Sequence, residues 1–399
     1  MKNNRTFLEK LLDGAEVEWK PLKDVAEYIR GVTYNKANES TNNIGYKVLR
    51  ANNITLSGNT LNFDDIKVIK FDTKVKSSQM LYKNDILISA ASGSREHVGK
   101  VAFIYQDIDY YFGGFMGVIR CNNNVNSRYL FHIFTSSIFQ DYLNEVLNSS
   151  TINNLNSKVM DSFRLPIPPL SVQTEIVKIL DALTALTSEL TSELTSELIL
   201  RRKQYEYYRE KLLSEEELGK VGFEWKSLGE VTNIKTGQAV SKYSISQNPG
   251  IYPVINSGRE PLGFINEWNT ENDPIGITTR GAGVGSITWQ EGKYFRGNLN
   301  YSVTVKSDYK LNVRFLYHIL LHFQKEIHNL CSFTGIPALN ASELKKLEIS
   351  IPAIEEQQRI VSILDKFETL TNSITEGLPL AIEQSQKRYE YYRELLLSF

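Results

Sequence analysis

Two cysteines, Cys121 and Cys331, in 399 residues are too few for a disulfide framework, and a reducing cytoplasm is the expected setting. No stretch approaches the roughly 18 consecutive apolar residues of a membrane span, so no membrane partner is expected. The opening MKNNRTFLEK carries charge with no apolar run behind it, which gives no reason to expect a secretory leader. Net charge is also missing, since 45 Lys+Arg face 46 Asp+Glu. Over the whole chain that balance argues against nucleic acid, but it does not survive division along the chain. What is present is material for packed cores, a 41% apolar share with 18 Phe, 21 Tyr and 4 Trp, which excludes a disordered chain. The length suggests two to four domains.

The chain repeats itself. KQYEYYREKLLS (203–214) returns as KRYEYYRELLLS (387–398), with ten of twelve positions identical at an offset of 184. LPIPPLSVQTEIVKILD (165–181) matches ISIPAIEEQQRIVSILD (349–365) at the same offset of 184. The two blocks of about 50 residues are therefore one structural element used twice. Glu18-Trp19-Lys20, Leu22, Val25 and Gly31 recur as Glu224-Trp225-Lys226, Leu228, Val231 and Gly237, at an offset of 206. The regions between these triplets and the blocks differ in length by 22 residues and look little alike. Joined tail to head, YYRELLLSF and FLEKLLDGAEVEWK mimic the internal YYREKLLSEEELGKVGFEWK. The expectation is a pseudo-two-fold molecule with neighbouring termini.

In the first block Ile176, Ile179, Leu180, Leu183, Leu186, Leu190, Leu194 and Leu198 form a stripe at helical spacing. Ser171 is a candidate N-cap, and three copies of TSEL fill 187–198. Unbroken, residues 172–213 would span about 60 Å. Gly377 and Pro379 predict a break in the second block. A leucine stripe needs a partner, and the expected one is the other block, as an antiparallel coiled-coil-like pair with Leu190 and Leu194 in its seam. The intervening regions read as mixed α/β, with short strands at 48–49, 85–88, 101–104, 275–277 and 286–288. Each region ends in a helical segment, 129–147 and 315–330.

Charge follows the same division. Residues 1–164 carry a surplus of +3 and 219–348 a surplus of +3, while 165–218 carry −4 and 349–399 carry −3. Basic variable regions thus alternate with acidic helical blocks, the pattern of two anion-facing domains on a scaffold.

Catalytic motifs fail on inspection. Gly93 to Gly99-Lys100 is one residue too long for a phosphate loop, and Val101 stands where a hydroxyl should hold Mg²⁺. GAGVGS (281–286) lacks a strand–helix unit with an acidic residue about 20 positions on. His318, His322 and His328 lie on an amphipathic helix, but Ile319 stands where a zinc-hydrolase glutamate belongs, so surface or core histidines are expected. The polar clusters of the variable regions suit recognition instead. Arginine reads guanine and asparagine reads adenine, while lysine and backbone amides grip phosphates.

The paired blocks, the tyrosine-rich ends QYEYYREKLLS and RYEYYRELLLS, the TSEL array and FLEKLLDGAEVEWKPL together resemble the specificity subunit of type I restriction–modification enzymes. The last three look most like the type IC subgroup. The resemblance implies an α+β chain in which two target-recognition domains alternate with two long helical spacers. The expected segments are an N-terminal arm (1–17), target-recognition domain 1 (18–164), a central helical spacer (165–214), a linker (215–223), target-recognition domain 2 (224–348) and a distal spacer (349–399). It implies no catalysis and no cofactor in this chain. Each domain would read one half of a bipartite, asymmetric site in double-stranded DNA. Two methylase subunits using S-adenosylmethionine would dock on the spacers, and motor–nuclease subunits using ATP and Mg would complete the complex. The alternatives are an enzyme with its own methylase or nuclease and a protein-only coiled-coil scaffold.

DNA contacts are expected from Arg50, Asn52, Asn53, Ser94, Arg95, Lys100, Asn256, Arg259, Thr279, Arg280 and Arg296. Scaffold or partner-subunit contacts are expected from Leu183, Leu186, Leu190, Leu194, Leu198, Tyr205, Tyr208, Ile363, Leu364, Tyr389 and Tyr392.

Overall fold

The structure, a computed structural model, describes residues 6–55, 58–92, 95–148, 154–258, 260–373 and 376–399. Two compact units divide the chain: Met1–Ser192 with Glu383–Phe399, and Glu193–Ile382.

The first unit contains β1 (Glu18–Pro21), β2 (Ala26–Arg30), β3 (Tyr46–Leu49), β4 (Lys67–Ile69), β5 (Met80–Leu81), β6 (Ile86–Ser89), β7 (Val101–Phe103), β8 (Ile108–Phe112), β9 (Met116–Cys121) and β10 (Arg164–Ile167). One sheet has the order β2-β9-β6-β7 and a second the order β4-β3-β8-β5. Ile86-Leu87-Ile88-Ser89 is buried on both faces, as a central strand with an unbroken apolar run should be.

The second unit contains β11 (Phe223–Ser227), β12 (Thr232–Thr236), β13 (Pro249–Ile255), β14 (Phe264–Ile265), β15 (Thr270–Glu271), β16 (Ile275–Thr278), β17 (Ile287–Trp289), β18 (Lys293–Arg296), β19 (Asn300–Val305) and β20 (Glu348–Pro352). Its sheets, β12-β19-β16-β17 and β14-β13-β18-β15, match the first unit strand for strand. The parallel strand pairing in each, β3 with β8 and β13 with β18, also matches. Regions that look unrelated in sequence thus carry one topology.

The repeated residues explain themselves. The two Glu-Trp-Lys triplets lie in β1 and β11, which pair antiparallel with β10 and β20, the strands that lead into the helical blocks. At Gly31 an added Cβ would lie 2.1 Å from the Gly113 carbonyl oxygen, and at Gly237 it would lie 2.3 Å from that of Gly297. No side chain fits either crossing.

The first block is one helix, Leu170–Leu212. It begins one residue before Ser171, which sits in the first turn rather than capping it. The second block is two helices, Ile354–Asn372 and Leu378–Leu397, separated at Gly377 with φ +87°. In the first unit Ile176 and Leu180, near the start of the long helix, share a core with Leu396 and Leu397 at the end of the last one. Leu11, Leu12 and Phe399 pack on the same core. In the second unit Leu213, with Tyr205, Tyr208 and Leu212, shares a core with Ile360 and Leu364 near the start of the 354–372 helix. Within each unit the beginning of one block therefore meets the end of the other, the antiparallel sense the stripe implies.

Leu190 does not take the seam position expected of it, whereas Leu194 is half-buried. Leu186 is 62% and Leu190 42% exposed, and Leu183, Leu194 and Leu198 are half-buried. The buried apolar residues of the long helix, Val172, Ile176 and Leu180, sit in its first turns, and at its far end Tyr205, Tyr208 and Leu212 pack half-buried on the second unit's core. Among the described residues no helix is long and apolar enough to cross a membrane.

Candidate nucleic-acid interface

Four strand ends meet at one turn in each unit. In the first, the Gly31 and Val32 amides donate to Met116 O and Phe112 O, Gly113 N donates to Leu49 O, and Ala90 and Ala91 donate to Phe115 O. The loops that follow β2, β3 and β6 therefore all start around the turn Gly113-Gly114-Phe115. In the second, Gly237 donates to Asn300 O, Gln238 to Arg296 O, Gly297 to Ile255 O and Thr279 to Leu299 O. That is the same construction around Gly297-Asn298-Leu299. Leu155 N donates to Ala90 O, and Leu339 N to Thr279 O, which brings one further segment to each cluster.

The opposite end of β9 and β19 leads to the helical blocks through a polar clamp. Asn126 caps the helix Ser127–Thr135, its Oδ1 accepting from the Arg128 and Tyr129 amides. Its own N–H donates to Gln173 Oε1 at 2.9 Å, and Gln173 Nε2 donates to Pro168 O at 2.8 Å. Arg128 Nε and His132 Nε2 both reach Asp181 Oδ1, at 2.8 and 3.0 Å.

The second unit repeats each contact. Asn312 caps Val313–His322 and donates to Gln357 Oε1 at 2.8 Å, and Gln357 Nε2 donates to Pro352 O at 2.9 Å. Arg314 Nε and His318 Nε2 reach Asp365 Oδ1 at 2.7 and 2.8 Å. Here Arg314 adds Glu368 at 2.7 Å, and the Tyr205 hydroxyl meets His318 Nδ1 at 3.3 Å.

Burial lowers the His132 pKa, against the pull of the Asp181 bond, so the ring is neutral and donates from Nε2. Burial alone would raise Asp181, but the His132 hydrogen bond and Arg128 outweigh it and hold the carboxyl below its ordinary range. Asp365 is held down in the same way by His318 and Arg314. His318, Asp365 and Glu368 come close enough to suggest a metal site. Both carboxylates, however, are already bonded to the Arg314 guanidinium, which occupies their lone pairs and repels a second cation. A cleft of about 360 Å³ beside β9 is lined by Tyr82, Asp85, Arg120 and Cys121. Burial, helped by the Asp85 charge, pushes the Cys121 thiol up to about 12, so no thiolate nucleophile exists there.

The structure sorts the sequence-derived DNA contacts. Arg296 is only 3% exposed, and its guanidinium is bonded to Ile275 O, Tyr301 O, Asp273 O, Asn300 Oδ1 and the Tyr294 hydroxyl. It is an internal brace, not a DNA contact. Asn53 is buried and bonded to the Arg50 amide, Asn62 O and Asp65 O. Asn256 is buried with its Oδ1 accepting from Leu299 N, and Thr279 is buried as well. These three hold the loop bases and cannot reach a base edge. Arg50 and Asn52 stand on the loop after β3, both tied to the Asp65 carboxylate. Arg95 and Arg280 are exposed in the loops after β6 and β16, Arg95 lying 3.4 Å from Asn144 Oδ1. Lys100 is half-buried at the base of its loop. Ser94 and Arg259 lie outside the described residues.

Among the scaffold residues, Leu364 is buried in the second unit's core and Ile363 is half-buried. Tyr205 binds His318 and Tyr208 stacks on Phe367. Tyr389 is half-buried and Tyr392 is exposed.

The exposed Phe115 on the central turn escaped the sequence reading, as did the clamp. The clamp's signal was available. NSRYLFHIF (126–134) and NVRFLYHIL (312–320) share Asn-x-Arg-x-x-x-His at an offset of 186.

A family profile described as "Type I restriction modification DNA specificity domain" matches residues 15–199 and again 220–384. The chain belongs to this family of type I restriction–modification specificity proteins. A Haemophilus influenzae protein described as a type I restriction enzyme specificity subunit is 40% identical over 100% of both chains. The Escherichia coli type I restriction enzyme EcoR124I/EcoR124II specificity subunit is 32% identical over 99% of this chain and 97% of its own. Among solved structures, the HsdS subunit from Thermoanaerobacter tengcongensis covers 96% of this chain and 95% of its own, with a TM-score of 0.52 at 19% identity. A chain from work on complex assembly and conformational transition of the type I R-M system covers 96% of this chain and 97% of its own, with a TM-score of 0.64 at 17% identity. These structural likenesses establish the fold. The expectation of a DNA-specificity subunit without an active site of its own agrees with the family.

Proposed function

We propose that the specificity subunit reads a bipartite, asymmetric site in double-stranded DNA, one half with the loop end of each unit. One observation carries this reading: the same pair of sheets is built twice and presents, at the same turn, two sets of loops that share almost no sequence. A constant frame with divergent loops suits two independent readings of one kind of polymer. Arg95 and Arg280, exposed beside the turns, are the foremost candidates for base or phosphate contact, with Arg50, Asn52 and Lys100 behind them. Residues 18–164 and 224–348 serve as the two target-recognition domains, and 165–214 and 349–399 as the spacers that set half-site separation. Two methylase subunits dock on the spacers and bring S-adenosylmethionine, while motor–nuclease subunits bring ATP and Mg. The complex works in the cytoplasm. The clamps around Asp181 and Asp365 fix each reading domain on its spacer.

The test is a cassette exchange, in which residues 21–164 are replaced by the corresponding segment of a relative and methylated motifs are mapped in cells. One half-site should change and the other persist; a hybrid that alters both, or neither, refutes the reading.

A further inference from the structure

Phe115 is, at 73%, the most exposed large apolar side chain of the first unit among the described residues. Its backbone is the reverse of loose. Gly113 N is held by Leu49 O at 2.9 Å, Met116 N closes the turn on Gly113 O at 2.8 Å, and Phe115 O accepts from Ala90 and Ala91 at 2.8 and 3.0 Å. The ends of two strands thus fix the turn, Gly31 is pressed against it, and none of these bonds uses the ring. A phenyl group on a fixed base points into solvent where the loops bearing Arg50 and Arg95 begin. The matching turn of the second unit is built differently. Leu299 is half-buried with its amide on Asn256 Oδ1, and the exposed residue is the polar Asn298.

We infer that Phe115 is a wedge that stacks into a base step of the half-site read by the first unit, a device that the matching turn of the second unit, with Asn298 exposed and Leu299 half-buried, does not repeat. This rests on the loop ends being the DNA faces. Among basic, polar loops a rigid apolar ring finds its best partner in the face of an unstacked base, and such insertion favours steps that open easily, the pyrimidine–purine steps. The ring therefore sets specificity at a position that needs no hydrogen bond.

The experiment uses the full chain assembled with its methylase and a duplex carrying the bipartite target mapped in cells, with 2-aminopurine placed in turn at each position of both half-sites. Wild type should brighten one step of the first half-site on binding, and Phe115→Ala should lose that signal. Phe115→Ala should also bind roughly ten- to a hundredfold more weakly, the worth of one stacked base, and Phe115→Leu should lie between. A duplex already unstacked at that step, by an abasic site, should restore most of the loss. Unchanged affinity in Phe115→Ala overturns the wedge. So does a signal that persists in that variant, which would belong to the methylase. So does a loss confined to one thymine with no change in stacking, which would mark a methyl contact in the groove. A wild-type complex that ignores the mapped duplex sinks the DNA-face reading and the wedge together, whereas the preceding outcomes sink the wedge alone.

Discussion

His318 Nε2 lies 2.8 Å from Asp365 Oδ1, and His132 Nε2 lies 3.0 Å from Asp181 Oδ1. The same pair, with the same arginine four residues before the histidine, fastens a reading domain to a spacer helix twice in one chain. Asp365 Oδ1 is bonded to both Arg314 and His318, which are largely buried. Asp365→Ala should therefore destabilise the second unit by about 1–3 kcal/mol, because it leaves the buried His318 ring without its acceptor while Arg314 keeps Glu368. In Asp181→Ala the first unit should weaken instead. Two-step thermal unfolding followed by calorimetry would assign each loss, and equal effects of both variants on a single transition would contradict independent clamps.

The first clamp should also be sensitive to acid. Because burial depresses His132 in the folded state, the unfolded chain binds a proton there first. Stability from this group is complete above its unfolded value of about 6.5 and falls as pH drops below it. Asp181, also depressed, adds a further loss as pH falls below about 4, the ordinary aspartate value. His132→Gln keeps a donor for Asp181 but cannot titrate. Its first-unit melting temperature should be flatter than wild type between about pH 6.5 and 5. Parallel curves for the two proteins would show that the histidine is not the titrating group.

Arg280 and Arg296 should behave as opposites. Arg296→Ala removes the hub of five internal bonds and should cost about 3–5 kcal/mol in the second unit. Arg280→Ala should leave the melting curve within about 0.5 kcal/mol of wild type. It should weaken DNA binding by about 1–3 kcal/mol if it touches a base, or lower the salt slope by about 1 if it touches a phosphate. A destabilised Arg280→Ala, or a stable Arg296→Ala defective only in DNA binding, would reverse the assignment.

That pair shows where the sequence was legible and where it was not. Both arginines precede a glycine at or just past the end of a strand, Arg296 as the last residue of β18 and Arg280 two residues beyond β16, so nothing local separates them. The difference is tertiary. Arg296 occupies the place that Phe112 holds in the first unit, where the ring is fully buried. The second unit answers that demand with a guanidinium enclosed by carbonyls. The strand repeat that would expose this equivalence is invisible once the regions diverge. The helical blocks, the break at Gly377 and several strands were readable because periodicity and near-identity mark them directly. The burial of the leucine stripe was not, since a stripe fixes which residues share a face of a helix but not what covers that face. Leu180→Asp should thus be severely destabilising. Leu190→Asp, at an exposed position, should cost far less than the several kcal/mol that a closed seam would impose.

The TSEL array offers a last test, of the spacer as a ruler. The helix Leu170–Leu212 runs through 187–198 without interruption. Deleting Thr195 to Leu198 shortens it by about 6 Å and turns its far end by about 400°, a net 40°. Four residues nearly preserve the face on which each side chain lies. They also preserve a local ion pair. Arg201 bonds Glu197 across one turn at 2.7 Å, and after the deletion Glu193 stands at that same spacing. Helix stability should therefore survive, whereas deleting two residues would turn the two ends of the helix, each packed on its own unit's core, out of register with each other. One base pair of B-DNA rises about 3.4 Å and turns about 35°. The four-residue deletion should yield an active complex with the same two half-sites and a spacer shorter by about one base pair. If TSEL only fills helix, the variant will methylate the original motif. Mapping the methylated sites decides between them: an unaltered spacer in an active complex refutes the ruler.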